Sequence, residues 1–297
     1  MIELNDVTPP PDANGTRRAT SADTTSFDRT TAIRPVRSRH ESSGGVGSVV
    51  EFAAELDAAW LSLIGIHGGY LTAIAARAAE SVVTDREVRT LTTNFQRAGR
   101  PGPARVTARE QRRGRSLSVV DVRVEQDERD LVVSRITMLE PQPDVGWTTP
   151  LPVDLPPLDT CDSIIDRSDA SHFRQAHGVL DPSSIPFTAG PNAMVRGYVR
   201  PLEPRPIDAA WLAMITDWFP PPAFVRVDPP IGGISINLTT HIHRTLPTLD
   251  DEWLTGSFEI QNSSTGLAIE HGRIVTLDGT VLAESVQTRW SATPGPR

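Results

Sequence analysis

At 297 residues the chain is long enough for about two domains of ordinary size and a substantial core. Its 38% hydrophobic and 22% charged content is that of a globular protein, and a net charge of −8 argues against a general nucleic-acid footprint while leaving room for a local basic surface facing a phosphorylated ligand. Cys161 is the single cysteine, which excludes an intrachain disulfide and fits a reducing compartment.

No apolar run has the length of a bilayer span, and the opening Met-Ile-Glu-Leu-Asn-Asp lacks a basic region followed by an apolar stretch. A cytoplasmic location without a membrane span is therefore expected. Residues 1–25, rich in Pro, Asp, Asn, Thr and Ser, read as a disordered leader. A strand is expected from Ser26 to Val36, a loop over 37–47, and a second strand from Ser48 to Leu56, the two strands forming a hairpin. Gly65-Ile66-His67-Gly68-Gly69-Tyr70 then leads into Leu71–Glu80, a helix with small residues all round and hence a buried one. Strands follow at 88–97, 104–112, 116–125 and 130–139, with turns at 99–103 and 126–129.

The many prolines of 141–160, with irregular sequence to about 190, read as a linker over 141–190. The first domain then covers 26–140 and the second 191–292. In the second, a strand at 193–198 precedes a helix capped by Asp208 and running to Phe219, where three prolines stop it. Strands at 233–244, 253–261, 267–277 and 280–290 complete it, Asp278-Gly279 marking a tight hairpin.

The two halves repeat. Leu91-Thr-Thr-Asn-Phe-Gln-Arg97 matches Leu238-Thr-Thr-His-Ile-His-Arg244 at an offset of 147, and Leu131–Ser134 matches Val281–Glu284 at an offset of 150. Each half has a strand or two, one long helix, then four strands. That is an α+β arrangement in which an antiparallel sheet curls around one helix, the hotdog shape, present here in tandem.

Several residues stand out chemically. Backbone N–H groups at the start of the first helix, with Gly68 and Gly69 open to close approach, suit either an oxyanion or a tight strand-to-helix turn. His67 before them is a candidate base or an ordinary loop histidine. Ser235, Asn237, Thr239, His241 and His243 are expected on one strand face, with Ile236, Leu238 and Ile242 on the other. His241 and His243 have no further ligand at metal spacing, so no metal site is expected. Ser285, Gln287 and Arg289 share a face of the last strand. Arg113 and Arg115, in a hairpin turn, are candidate phosphate contacts or merely solvated.

Ser26-Phe27-Asp28, His67-Gly68-Gly69-Tyr70-Leu71, Asn94–Gly99, Ser235–Thr239, Asp251–Leu254, Asp278–Ala283 and Ser285-Val286-Gln287 together resemble the double-hotdog thioesterase-like proteins related to the type II acyl-CoA thioesterases. The resemblance runs from about 26 to 290. It implies hydrolysis of acyl-CoA to free acid and CoA, part of lipid metabolism, with no cofactor beyond the CoA of the substrate. It also implies a polar trio that orients water: an Asp on the strand after the second helix, a hydroxyl on the next strand and a Gln on the last. The Gln falls on Gln287, the Asp position on Asn237, and the hydroxyl position near Gln261-Asn262-Ser263. Catalytic candidates are thus Asn237, Gln287, Asn262, Thr239 and His67; substrate-binding candidates are Gly68, Gly69, Tyr70, Arg113 and Arg115. An amide orients water but cannot take its proton. Asn237 therefore keeps open a second reading, a non-catalytic acyl-CoA-binding protein. Exposed strand edges predict a homodimer or higher homo-oligomer.

Overall fold

The computed structural model describes residues 24–40, 47–143, 147, 149–165, 170–226, 233–249 and 252–290; most of the expected leader lies outside them. In chain order the elements are α1 (Ser26–Thr30), β1 (Ile33–His40), β2 (Ser48–Leu56), α2 (Gly68–Val82), β3 (Glu87–Phe95), β4 (Gly102–Arg113), β5 (Leu117–Gln126) and β6 (Arg129–Leu139). Then come β7 (Asp162–Ser163), β8 (Ala176–Leu180), β9 (Met194–Pro201), β10 (Arg205–Ile207), α3 (Ala209–Ile215), α4 (Ala223–Arg226), β11 (Ile234–Ile242), β12 (Leu246–Leu249), β13 (Leu254–Ser264), β14 (Leu267–Thr276) and β15 (Val281–Trp290). Among the described residues no helix is long and apolar enough to cross a membrane.

Three expectations change. The helix expected to run on to Phe219 ends at Ile215, where Thr216 caps it. Ser26 opens a short helix rather than a strand, because the Thr25 hydroxyl caps it by accepting from the Asp28 N–H. The stretch read as linker is not irregular throughout: β7 and β8 extend the sheet beyond β9.

Among the described residues, thirteen strands form one antiparallel sheet in the order β1-β2-β4-β5-β6-β3-β11-β15-β14-β13-β9-β8-β7. The halves meet where β3 pairs with β11, Thr92 lying opposite Thr239 and Asn94 opposite Asn237. This is the tandem hotdog: α2 lies against the first half of the sheet and α3 against the second. Five alanines and the two leading glycines of α2 bring the sheet and α3 close to its axis, and ten of its fifteen residues are buried.

The registers show how far the repeat extends. Val88, Leu91 and Thr93 of β3 pair with Met138, Ile136 and Ser134 of β6. Ser235, Leu238 and Thr240 of β11 pair with Arg289, Gln287 and Ser285 of β15 in the same pattern. Each strand pair carries a β-bulge at the same place, after Val88 and after Ser235. Ser134 is thus equivalent to Ser285, one residue on from the match read in the sequence. Across the next strand, Val120 faces Ile136 as Glu270 faces Gln287.

Candidate functional site

α2 and α3 run antiparallel, so the start of α2 meets the end of α3. Asp208 caps α3 by accepting from the Trp211 N–H at 2.9 Å. The helix closes at Thr216, whose hydroxyl meets that of Thr240 on β11 at 2.9 Å. The next residue, Asp217, turns its carboxylate into the junction, with only 7% of the side chain exposed. Its Oδ2 accepts from the Gly69 N–H at 2.8 Å, and its Oδ1 accepts from the Gln287 amide at 2.7 Å. A Cβ on Gly69 would lie 2.5 Å from the Met214 carbonyl, and one on Gly68 would lie 2.6 Å from the Phe95 ring and 2.8 Å from Asp217 Oδ2. The glycines are needed so that the two helices can touch here.

β15 sends Gln287 inward, fully buried, between Ser285 and Arg289, as the shared face in the sequence foretold. Its Nε2 donates to Asp217 Oδ1 and to Ser235 Oγ, each at 2.7 Å. Its Oε1 accepts from Arg289 Nη2 at 2.7 Å. Ser235 Oγ also accepts from Arg289 Nη1 at 3.1 Å, which fills both its lone pairs and leaves its own O–H to donate. Asp217, Ser235 and Gln287 thus form a connected polar trio, with acceptor sites of the carboxylate still open.

The trio differs from the one read in the sequence. Asn237 and Thr239 face away from it: the bulge after Ser235 puts that residue on the helix side with Leu238 and Thr240, and sends Asn237 and Thr239 to the opposite face. Thr239 meets Thr92 across the seam at 3.1 Å. The carboxylate sought at 237 comes from the end of α3, and the hydroxyl comes from β11. Asn262 is exposed on β13, beyond a register shift after Ile260, and joins no member of the trio. Asp217 could have been singled out in the sequence as the lone acid within the apolar run from Ala209 to Phe219, since a buried carboxylate needs a reason.

His67 reaches the junction but is committed on both nitrogens. As the cap of α2, its Nδ1 accepts from the Tyr70 N–H at 3.2 Å, and its Nε2 donates to the Asp217 carbonyl at 2.9 Å. Burial holds its pKa below the usual value, against the opposing pull of Asp217. A neutral ring with both nitrogens engaged ties α2 to α3 and has no lone pair left for water. His172, from the segment after β7, stacks on it with ring centres 4.4 Å apart. Tyr70 is a core residue, stacked on Trp60 at 4.8 Å with its hydroxyl donating to the Thr30 carbonyl at 2.6 Å. Arg113 is taken up by Asp85 at 2.7 Å and Glu110 at 3.2 Å, while Arg115 is exposed in the same hairpin. That hairpin lies at the Val88 end of β3, and β3 runs antiparallel to β11, so it is at the far end of the strands from Ser235. Among the described residues no group of His, Cys, Asp and Glu is placed to hold a metal ion.

The model of the acyl-CoA thioesterase N-terminal domain matches residues 56–139, and that of the acyl-CoA thioesterase C-terminal domain matches residues 152–290. Among solved structures, the chain is similar to a conserved hotdog-fold protein of unknown function from Alicyclobacillus acidocaldarius, with 21% identity over 91% of this chain and 99% of that one and a TM-score of 0.76. It is similar to a candidate thioesterase II from Thermobifida fusca, with 21% identity over 91% and 98% and a TM-score of 0.74. An acyl-CoA thioesterase II from Mycobacterium marinum aligns with 17% identity over 92% and 99% and a TM-score of 0.70. No curated protein matches the sequence.

Proposed function

Since the chain belongs to the acyl-CoA thioesterase family, we propose that it hydrolyses acyl-CoA to free acid and CoA, with Asp217, Ser235 and Gln287 handling the water. The observation that carries this reading is the buried Asp217 carboxylate, bonded to Gln287 beside Ser235. Water donates one hydrogen to an open acceptor site of Asp217 and accepts from the Ser235 O–H, which leaves a lone pair for the thioester carbonyl carbon. As the new C–O bond forms, Asp217 takes the water proton. The tetrahedral intermediate then expels the CoA sulfur, which leaves with that proton as the thiol. Gln287 keeps Asp217 and Ser235 in place, and the Gly69 N–H keeps the second carboxylate oxygen fixed. Asn237 offers no argument for a merely binding protein, because the face it occupies is not the one that carries the trio.

The test is release of CoA from short, medium and long acyl-CoAs, followed with a thiol reagent. The wild type should release CoA above background, Asp217→Asn should fall to background, and Asn237→Asp should match the wild type. A silent wild type, or an active Asp217→Asn, would remove the proposal. We further infer self-association through the open edges of the sheet at β1 and β7. A monomeric mass by sedimentation would overturn it.

A further inference from the structure

Arg289 and Glu270 lie behind the trio, with side chains 5% and 3% exposed. Arg289 Nε donates to Glu270 Oε2 at 2.6 Å and its Nη2 to Glu270 Oε1 at 3.2 Å, a two-pronged fork. The remaining donors go to Gln287 Oε1 at 2.7 Å, Ser235 Oγ at 3.1 Å and the Gly233 carbonyl at 3.4 Å. The guanidinium's five N–H groups therefore meet five acceptors.

Burying such a pair is not a route to stability. Removing two charges from water costs several kcal/mol each, and well-packed apolar residues serve a fold as well or better. The first half carries the apolar alternative, since its equivalents of Glu270 and Arg289 are Val120 and Met138, both fully buried in the core. What the pair does is chemical. The two ends of a glutamine amide have nearly the same shape, and only their partners tell them apart. Turned around, Gln287 would set its oxygen against Asp217 and its NH2 against a guanidinium that can only donate.

Building on the hydrolase reading, we propose that Arg289, itself held by Glu270, is a positioning residue that fixes the Gln287 amide with its NH2 toward Asp217 and Ser235. Arg289 hydrogen-bonds Gln287 and Ser235, while its distance to Asp217 Oδ1, 3.9 Å, is that of an ion pair and too long for a hydrogen bond.

The experiment replaces the pair by the residues of the first half, Glu270→Val with Arg289→Met, beside Arg289→Lys. In the double variant kcat should fall about 100-fold, the size of loss seen when one preorganised donor is removed, with KM within about twofold of wild type. Its melting temperature should stay within a few degrees of the wild type, the desolvation cost removed with the pair offsetting the donor that Gln287 Oε1 loses. Arg289→Lys should recover part of kcat, because an ammonium still donates to Gln287 Oε1 without the fork. The side-chain NH2 signal of Gln287 in nitrogen-15 NMR, assigned by its loss in Gln287→Ala, should be dispersed and slow to exchange in the wild type and averaged in the double variant. A double variant with kcat within about threefold of wild type, a loss carried by KM, or an unchanged Gln287 signal would each overturn the proposal. The NMR readout needs no turnover, so a wild type that releases no CoA would remove the hydrolase reading while still testing this one.

Discussion

Val88, Val120, Ile136 and Met138 in the first half occupy the positions that Ser235, Glu270, Gln287 and Arg289 occupy in the second. The backbone around both sets is the same down to the bulge. One set is apolar and packs as core; the other is a polar network in which each side chain has partners. The hotdog frame is therefore neutral as to chemistry, and these four side chains, with Asp217 from the end of α3, decide which half carries a site. The junctions of the helices differ in the same way. Where α2 begins and α3 ends sits the Asp217 carboxylate. Where α2 ends and α3 begins, Arg77 and Arg205 bridge Asp28 and Asp208 at 2.8 to 3.0 Å.

The comparison is most easily broken by moving a charge without its partner. Val120→Glu puts a carboxylate where no arginine waits, and a loss of about 4 kcal/mol is expected, the cost of an unpaired buried charge, read from urea unfolding. Next comes Gln287→Ile, which gives the second half the residue of the first. Its kcat should drop about 100-fold with KM little changed, because the amide bonded to Asp217 and Ser235 is gone. Ser235→Val, copying Val88, should lower kcat about 10-fold, the worth of one hydrogen bond to the water.

The smallest effect concerns the other helix junction. Burial pushes the Glu80 carboxyl up to about 7, with Arg77 opposing. The folded protein then holds a proton that the unfolded chain releases from about pH 4.5, so stability falls as pH rises through that window to about 7. Glu80→Gln should flatten this slope in a melting series from pH 4.5 to 8. A side chain one-third exposed makes the change slight.

Much of the fold was legible. The repeated Leu-Thr-Thr heptad located the central strands β3 and β11, the alanine-rich run marked the buried helix, and Asp278-Gly279 marked the last turn, where Gly279 has a φ of +85°. Gln287 could be placed because strict alternation holds along β15 from Ala283 onward, past the irregularity at its start. Its partners could not, for two physical reasons. A bulge is one extra residue, and alternation counted through it assigns Ser235 and Asn237 to one face when they lie on opposite faces. Asp217 lies just beyond a helix end that the sequence carries on to Phe219, so nothing local shows that its carboxylate leaves the helix and enters the junction. Strand β8 stayed hidden because its five residues lie among prolines and turns, and only the edge of β9 makes them a strand.

The pairing of β3 with β11 within one polypeptide has a consequence for symmetry. Two identical subunits set edge to edge would have to spell every position twice, so a carboxylate useful in one place would be buried in both. Covalent linkage lifts that requirement. The first copy can drift toward a plain aliphatic interior and act as scaffold, contributing the start of α2, while the second retains the ionisable set. The result is a chain with a twofold outline and an asymmetric interior.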